Sequence, residues 1–501
     1  MHASVKTVAF FGVSTVEIDV QIQVLNGLPT FSIVGLPDKA VAESRERIRA
    51  SLYSLGISLP AKRITVNLAP ADVQKEGSHY DLPIALALLV ALDVISQEDV
   101  ANIVAVGELS LTGGISKVLG VLPAAMFANQ NHKIFICPKD CAQEAIWAGE
   151  NTVLAPRNLL DLINHFKGIQ QLPKVQMDKS HLPKISGKNC GCFSEIKGQL
   201  LAKRAVEVAA AGAHNLLMLG PPGVGKSMLA SRIPGILPSM TAKESLEVTM
   251  IHSLAGMVNE SGLICDRPFR APHHSASLVA LVGGGNNVKP GEVSLAHNGV
   301  LFLDELPEFS RPALESLRQP LETGDITIAR ANNHVTYPAR IQLIAAMNPC
   351  RCGYLGVGGK ECSRAPRCGT EYLHKISGPL LDRIDIYVNV PEIKVEDFSQ
   401  DGSTLETSEI IKQRVMKARQ IQYERYKKHQ TNAEAKGTDL EKYLTESAKQ
   451  LLYSFVDRAK LSARGFYRVI KLARTLADLS ESELIENQHI AEALEYRRAS
   501  V

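Results

Sequence analysis

Residues 220–227 read Gly-Pro-Pro-Gly-Val-Gly-Lys-Ser, directly after the apolar run Leu216-Leu217-Met218-Leu219 and directly before Met228-Leu229-Ala230. This G-x-x-x-x-G-K-S spacing constrains the chain more than any other segment, because it functions only as a loop between a buried strand and a helix. Gly220, Gly223 and Gly225, with Pro221, Pro222 and Val224 between them, let the backbone turn so that its N–H groups converge on an anion. The stretch from Gly220 to Met228 is therefore the expected phosphate cradle. Lys226 would reach the β- and γ-phosphates of a nucleoside triphosphate, and the Ser227 hydroxyl would bind Mg²⁺. ATP and Mg²⁺ are the expected cofactors.

The chain has 501 residues, enough for about three domains. Its net charge is only +3, so a nucleic-acid surface has to be local. No basic-then-apolar leader opens the chain, and no apolar run is long enough for a membrane span, so a cytoplasmic protein without membrane contact is expected. Nine cysteines in such a chain point to thiols or metal ligands rather than disulfides.

An α/β multidomain fold is expected. Residues 1–165 mix short strands with helices: Val16–Val24 alternates at period two, Ala40–Leu55 is an amphipathic helix, Ile64–Leu68 and Asn102–Val106 are strands, and Leu82–Leu92 is a buried helix. Residues 166–192 form a Pro- and Lys-rich linker. Residues 193–392 alternate strands and helices, as a mostly parallel sheet covered on both faces does. Residues 393–501 read as a helical bundle, with helices at Glu406–Tyr426, Asp439–Asp457, Gly465–Asp478 and His489–Tyr496.

Gly299–Leu303 is an apolar strand ending in Asp304 and Glu305. Ligands sit at the carboxyl ends of parallel strands, so Asp304 is placed to hold Mg²⁺ and Glu305 to orient or deprotonate the attacking water. Ile341–Met347 is a further strand ending in Asn348, which can hydrogen-bond the γ-phosphate or the lytic water. Arg383, in Leu-Leu-Asp-Arg-Ile-Asp, is either a structural ion pair or a finger that a ring ATPase projects into the neighbouring subunit's site. One of Arg464 and Arg468 should reach back to the phosphates as a second sensor, and Arg464 is favoured.

Together these motifs resemble the AAA+ ATPases. The stretch Phe269-Arg-Ala-Pro-His-His-Ser-Ala-Ser, with Gly283-Gly-Gly and Pro290-Gly-Glu-Val-Ser-Leu-Ala-His-Asn-Gly, resembles their magnesium-chelatase-like clade, which shares extra hairpins with the minichromosome-maintenance helicases. Across nearly all 501 residues the chain is similar to the YifB family of that clade. That resemblance implies a homohexameric ATPase driving branch migration of DNA in natural transformation. It also implies a Lon-protease-like (ribosomal S5-like) fold for residues 1–165 and an AAA+ P-loop α/β core followed by a C-terminal helical lid. His79 falls on the Lon serine position and Leu122 on its lysine position, with Ser78 one residue out of register and Lys117 nearby, so the dyad is missing and peptidase activity is not expected.

Cys350, Cys352, Cys362 and Cys368 lie in a basic, Gly-rich insertion just after Asn348; four thiolates satisfy tetrahedral Zn²⁺, although C-x-C-x₉-C-x₅-C is not the usual paired knuckle. Cys190 and Cys192 form a second short pair read as structural or incidental. Sequence-independent DNA contacts in a ring pore need backbone-binding cations. Two insertions can supply them, one from His273 to Lys289 and one at the hairpin Ile326–Tyr337, with Lys289, Arg330 and His334 as the expected contacts. A chelatase-type remodeller and a protein-unfolding ring are the competing readings. Neither insertion tip carries the aromatic that unfoldase pore loops use, and the chelatase ATPase subunit, as that family is known, lacks the Lon-like part.

Overall fold

The computed structural model describes residues 2–150, 152–177, 191–285, 288–330, 333–355, 363–392, 406–459 and 462–497. The period-two alternation of residues 16–24 becomes the strand Ser14–Leu25, which pairs antiparallel with His2–Phe11 so that Val5 lies opposite Val20 and Ala3 opposite Ile22. Arg63–Ala69 adds antiparallel to its other side, and Thr30–Val34 follows in parallel. Ile103–Ala105, Ile134–Ile136 and Val153–Leu154 extend the sheet beyond His2–Phe11 to seven strands.

Two helices of this N-terminal part show how sequence sets structure. Lys39–Ser54 begins at Asp38, whose carboxylate accepts the Val41 N–H at 2.8 Å. Asp81–Ala91 is buried along its whole length, as its unbroken apolar character requires. Its first residue, Asp81, carries a buried charge that the Arg47 guanidinium satisfies in a two-pronged pair, at 2.6 and 3.0 Å. The segment expected to be a linker is structured at its start, where the Val175 N–H donates to the Val153 carbonyl at 3.1 Å and lengthens the sheet edge.

The second sheet is entirely parallel, in the order Phe269–Arg270, Gly299–Leu303, Ile341–Met347, Leu216–Leu219, Ile386–Asn389. Leu216–Leu219 and Gly299–Leu303 are buried at every position, which is what parallel strands covered on both faces demand. Alternate residues feed different cores. Met218, Phe302 and Ile344 pack against the helices Leu200–Gly212 and Lys226–Ile236, whereas Leu217, Leu301 and Leu343 pack against Ala313, Leu314 and Leu317. This order sets Ile341–Met347 between the strand that opens the glycine-rich loop and the strand that ends in Asp304.

After residue 392 the described chain is helical, with Ser408–Tyr426, Glu446–Ala459, Ala463–Leu479 and Asn487–Glu495 adding Val415, Leu472, Leu476 and Ile490 to the first core. The single helix expected over Asp439–Asp457 is instead interrupted, with Gly437–Leu440 and Glu441–Tyr443 short pieces before the long helix Glu446–Ala459. A turn at Gly437–Leu440 ends before Leu444 bridges to Ile485, and Thr445 then starts the next helix by accepting the Ala448 N–H at 3.3 Å. The N-terminal part docks on the helix Ala242–Ala255 and the loop after it. The Gly120 N–H reaches the Ser253 carbonyl at 3.2 Å, Trp147 Nε1 donates to the Ser261 carbonyl at 3.1 Å, and the buried Glu144 carboxylate accepts from both Ser253 Oγ and the Leu122 N–H. No helix among the described residues is long and apolar enough to cross a membrane.

Candidate nucleotide site

The glycine-rich loop leaves Leu216–Leu219 at its carboxyl end and enters the helix Lys226–Ile236. Gly223 and Gly225 have φ of +81° and +91°, and a Cβ at either would meet no atom within 4 Å. The loop therefore surrounds open space, with backbone conformations that favour glycine, as a phosphate cradle requires.

Lys226 is buried, and its ammonium group donates to the carbonyls of Gly220 at 2.6 Å and Pro221 at 2.8 Å and to Asn348 Oδ1 at 3.0 Å. Desolvation lowers its pKa, against the opposing pull of Asp304 and Glu305. Loop, Lys226 and Asn348 thus converge, because the strand carrying Asn348 is the immediate neighbour of the strand carrying the loop. On the other flank, Ser227 Oγ donates to Asp304 Oδ2 at 2.7 Å. A hydroxyl and a carboxylate in that contact are the hard oxygen donors that Mg²⁺ takes, and the ion would have its ligands without rearrangement of the backbone. Nucleotide and ion both fit the residues present.

Glu305 adopts left-handed backbone angles, φ +52° and ψ +46°, directly after the strand. Its carboxylate lies 3.1 Å from His274 Nδ1. His274 was not singled out in the sequence, although its position just past Phe269–Arg270, the strand beside Gly299–Leu303, was the available signal. The loop after Asn348 also leans on the cradle, since a Cβ on Gly353 would meet Pro222 Cδ at 2.8 Å.

The arginines lie elsewhere. Arg383 precedes Ile386–Asn389, and its carbonyl accepts from Asn215 Nδ2 at 2.8 Å, at the amino end of the sheet. Five residue steps along the strand separate Asn215 from Gly220, roughly 16 Å at the rise of a β-strand. The Arg383 side chain is nine-tenths buried and is held by Glu322 and by the Pro379 carbonyl at 2.6 Å. Arg468 donates to Asp385 Oδ1 at 2.8 Å, at the same end. Burial alone would raise the Asp385 carboxyl, but the His214 ring 3.5 Å away, the Arg468 charge and the Asn215 N–H more than reverse this and bring it to about 2. Arg464 is exposed and near Glu322, whose carboxyl is lowered chiefly by Arg383 and to a smaller extent by Arg464. Arg468 thus stands at the end of the sheet opposite the cradle, where the helix Ala463–Leu479 is also held by Thr475 on His214 at 2.8 Å, and Arg464 lies one helical turn before it.

The two insertions come together. Helix Leu278–Val282 leads into the short pair Gly283–Gly284 and Lys289–Pro290, and Asp325–Arg330 pairs with Asn333–Pro338. Tyr337 Oη donates to the Val288 carbonyl at 2.7 Å, tying one hairpin to the other. Lys289 and His334 are exposed on this paired structure, and the backbone of Arg330 faces Asn333. Residues 286–287 and 331–332, at the two tips, lie outside the described residues.

Cys350 is buried and Cys352 exposed, with their sulfurs 2.9 Å apart. Cys368 lies in the helix Arg367–Leu373, and Cys362 lies outside the described residues. Among the described residues no three metal-ligating side chains converge, so the expected zinc centre is not assembled there. At the Lon-like position, Ser78 Oγ donates to Glu108, and His79 is buried with Nε2 2.9 Å from the Val8 carbonyl. Desolvation lowers the His79 imidazole to about 4. Leu122 is buried, Lys117 is exposed, and Cys190 lies outside the described residues.

A glycine-rich strand-to-helix loop flanked by a Ser227–Asp304 contact and by Asn348, on an all-parallel sheet, has the layout of an AAA+ ATPase, and the comparisons agree. Residues 192–398 match the family described as Magnesium chelatase, subunit ChlI, residues 405–497 match its C-terminal counterpart, and residues 20–141 match a family described as Subunit ChlI of Mg-chelatase. The chain belongs to this magnesium-chelatase-like AAA+ family. It is 43% identical over 490 residues to the competence protein ComM of Haemophilus influenzae, covering 98% of this chain and 96% of the relative. It is 41% identical over 496 residues to the uncharacterized protein YifB of Escherichia coli, covering 98% and 96%. The magnesium-chelatase 38 kDa subunit of Cereibacter sphaeroides is 25% identical over 174 residues, only 31% of this chain.

Proposed function

We propose that this chain is a homohexameric ATPase that hydrolyses ATP at sites shared between neighbouring subunits, translocates on DNA, and drives branch migration while incoming DNA is recombined during natural transformation. The observation that carries the shared site is the placement of Arg383 and Arg464 at the amino end of the sheet, away from the chain's own cradle at the carboxyl end. A transition state that needs cationic help then has to receive it from an adjacent subunit. DNA as the substrate is supported by the paired hairpins presenting Lys289 and His334, and by the near full-length similarity to a competence protein.

In this reading Lys226 and the loop Gly220–Met228 bind ATP. Ser227 and Asp304 hold Mg²⁺, which neutralises charge on the transferring phosphoryl group. Glu305 orients or deprotonates water, Asn348 senses the γ-phosphate, and Lys289, Arg330 and His334 contact the DNA backbone. We take residues 1–165 as a Lon-like domain without its dyad, 166–192 as a linker, 193–392 as the ATPase core and 393–501 as a helical lid, in a cytoplasmic protein.

A chelatase-type remodeller is the second reading, supported by the matched family names. ATP-dependent migration of a synthetic four-way junction, with Lys226→Ala as the control, separates the two. Migration by the parent chain alone supports the DNA motor. ATP hydrolysis that DNA leaves unchanged, with no migration, overturns it.

A further inference from the structure

A finger has to be mobile and exposed to enter a neighbour's site, yet Arg383 is neither. Its side chain is nine-tenths buried, its Nη2 is bonded to the Glu322 carboxylate, and its Nη1 to the Pro379 carbonyl. Its buried Nε has no hydrogen-bond partner, so the guanidinium is held at one end and unsatisfied at the middle. Glu322 itself is more than half exposed, at 57%, and ends the helix Arg318–Thr323. An exposed carboxylate on a buried guanidinium is an anion positioned where a phosphate oxygen could replace it, because both offer a bidentate acceptor of the same charge sign.

From these contacts we infer that Glu322 is a latch: in the unassembled subunit it occupies Arg383, and it yields that arginine to the nucleotide phosphates of the adjacent subunit when the ring closes. Glu322 touches neither nucleotide nor water in this scheme, so it is a positioning residue acting through Arg383. This deepens the shared-site reading and rests on it. The latch opposes assembly of active sites, so weakening it should favour them.

The test is the specific ATPase activity of the full-length chain as a function of protein concentration, for the parent, Glu322→Gln and Arg383→Ala. Because Glu322 is exposed, Glu322→Gln keeps the side-chain volume and is expected to fold normally, which thermal unfolding checks. The expected result is that Glu322→Gln reaches half-maximal activity at about two- to fivefold lower protein concentration, the range spanned by an ion pair with one exposed partner. The KM for ATP should stay unchanged, and Arg383→Ala should be inactive at every concentration. Glu322→Asp, which keeps the charge, should restore the parent curve. If Arg383→Ala is inactive but Glu322→Gln superimposes on the parent or shifts to higher concentration, the latch is wrong and the shared site stands. If Arg383→Ala keeps its activity, the shared site itself fails, and the latch with it.

Discussion

Glu305 offers a test in which backbone strain and chemistry separate. Its φ of +52° and ψ of +46° lie in the left-handed region, which costs a residue with a Cβ about 1–2 kcal/mol. Its side chain is half exposed, at 49%, and lies 3.1 Å from His274 Nδ1, so little packing is lost on truncation. Glu305→Ala and Glu305→Gly remove the same carboxylate and the same histidine contact, and they differ only in that alanine keeps the strain. Glycine relieves it but makes the unfolded chain more flexible, at about 0.5–1 kcal/mol. The difference leaves Glu305→Gly more stable than Glu305→Ala by about 0.5–1 kcal/mol. For a cooperative unit of about 200 residues this amounts to roughly 1–4 °C in Tm. Calorimetry on the nucleotide-free proteins reads the shift. In the same pair of variants kcat should fall by about 10²–10⁴, as loss of a general base does, while nucleotide binding persists. Glycine coming out less stable than alanine would refute the strain argument, and a kcat within tenfold of the parent would refute the role of the carboxylate.

Three further outcomes follow from the same contacts. Ser227→Ala removes one of the two oxygen donors that touch at 2.7 Å, so half-maximal activity should require several-fold more Mg²⁺, measured by titrating the metal at fixed ATP. Asp385 is held at about 2 against an ordinary 3.8, so its contribution to stability is present above about pH 4 and is lost as pH falls from there toward 2. Asp385→Asn should accordingly cost about 2 kcal/mol at pH 7 and nothing near pH 2, read from denaturant midpoints across that range. Lys289→Ala with His334→Ala should weaken DNA binding and flatten its salt dependence without changing hydrolysis in the absence of DNA; an unaltered salt slope argues against a phosphate contact.

The parts of the site legible in the sequence are those whose chemistry is local. A glycine-rich loop needs its residues at fixed spacing on one continuous turn, and an apolar strand ending in Asp304-Glu305 declares its own burial and polarity. The strands themselves, Leu216–Leu219, Gly299–Leu303 and Ile341–Met347, could be read for the same reason. What escaped was relational. His274 meets Glu305 across two neighbouring strands, Tyr337 joins hairpins whose strands are far apart in sequence, and Glu322 meets Arg383 across 61 residues. The break before Glu446 escaped for a subtler reason: Leu444 and Thr445 are compatible with a helix, and it is the tertiary bridge to Ile485 that ends one helix and lets Thr445 cap the next.

The placement of the helix that carries Arg464 is the most informative of these, because it follows from topology rather than from side-chain chemistry. A helix reading alone puts a basic residue on the last domain and leaves its direction open. The strand order does not. Ile386–Asn389 lies beside Leu216–Leu219 and runs parallel to it, so the residues before it, Arg383 to Asp385, must sit at the end of the sheet opposite the cradle. The helix Ala463–Leu479 is then fixed to that same end by Thr475 on His214 and Arg468 on Asp385. Arg383 and Arg468 thus fall at one end of a sheet whose other end carries the glycine-rich loop, with Arg464 one helical turn before Arg468. On the shared-site proposal, such a subunit presents these cations where its own cradle cannot use them, and a head-to-tail neighbour offering its cradle to that face would bring the two together. On the same proposal, closure of such heterologous contacts would generate a ring, which would let the hairpin pair tied through Tyr337 act on a strand of DNA from several sides at once.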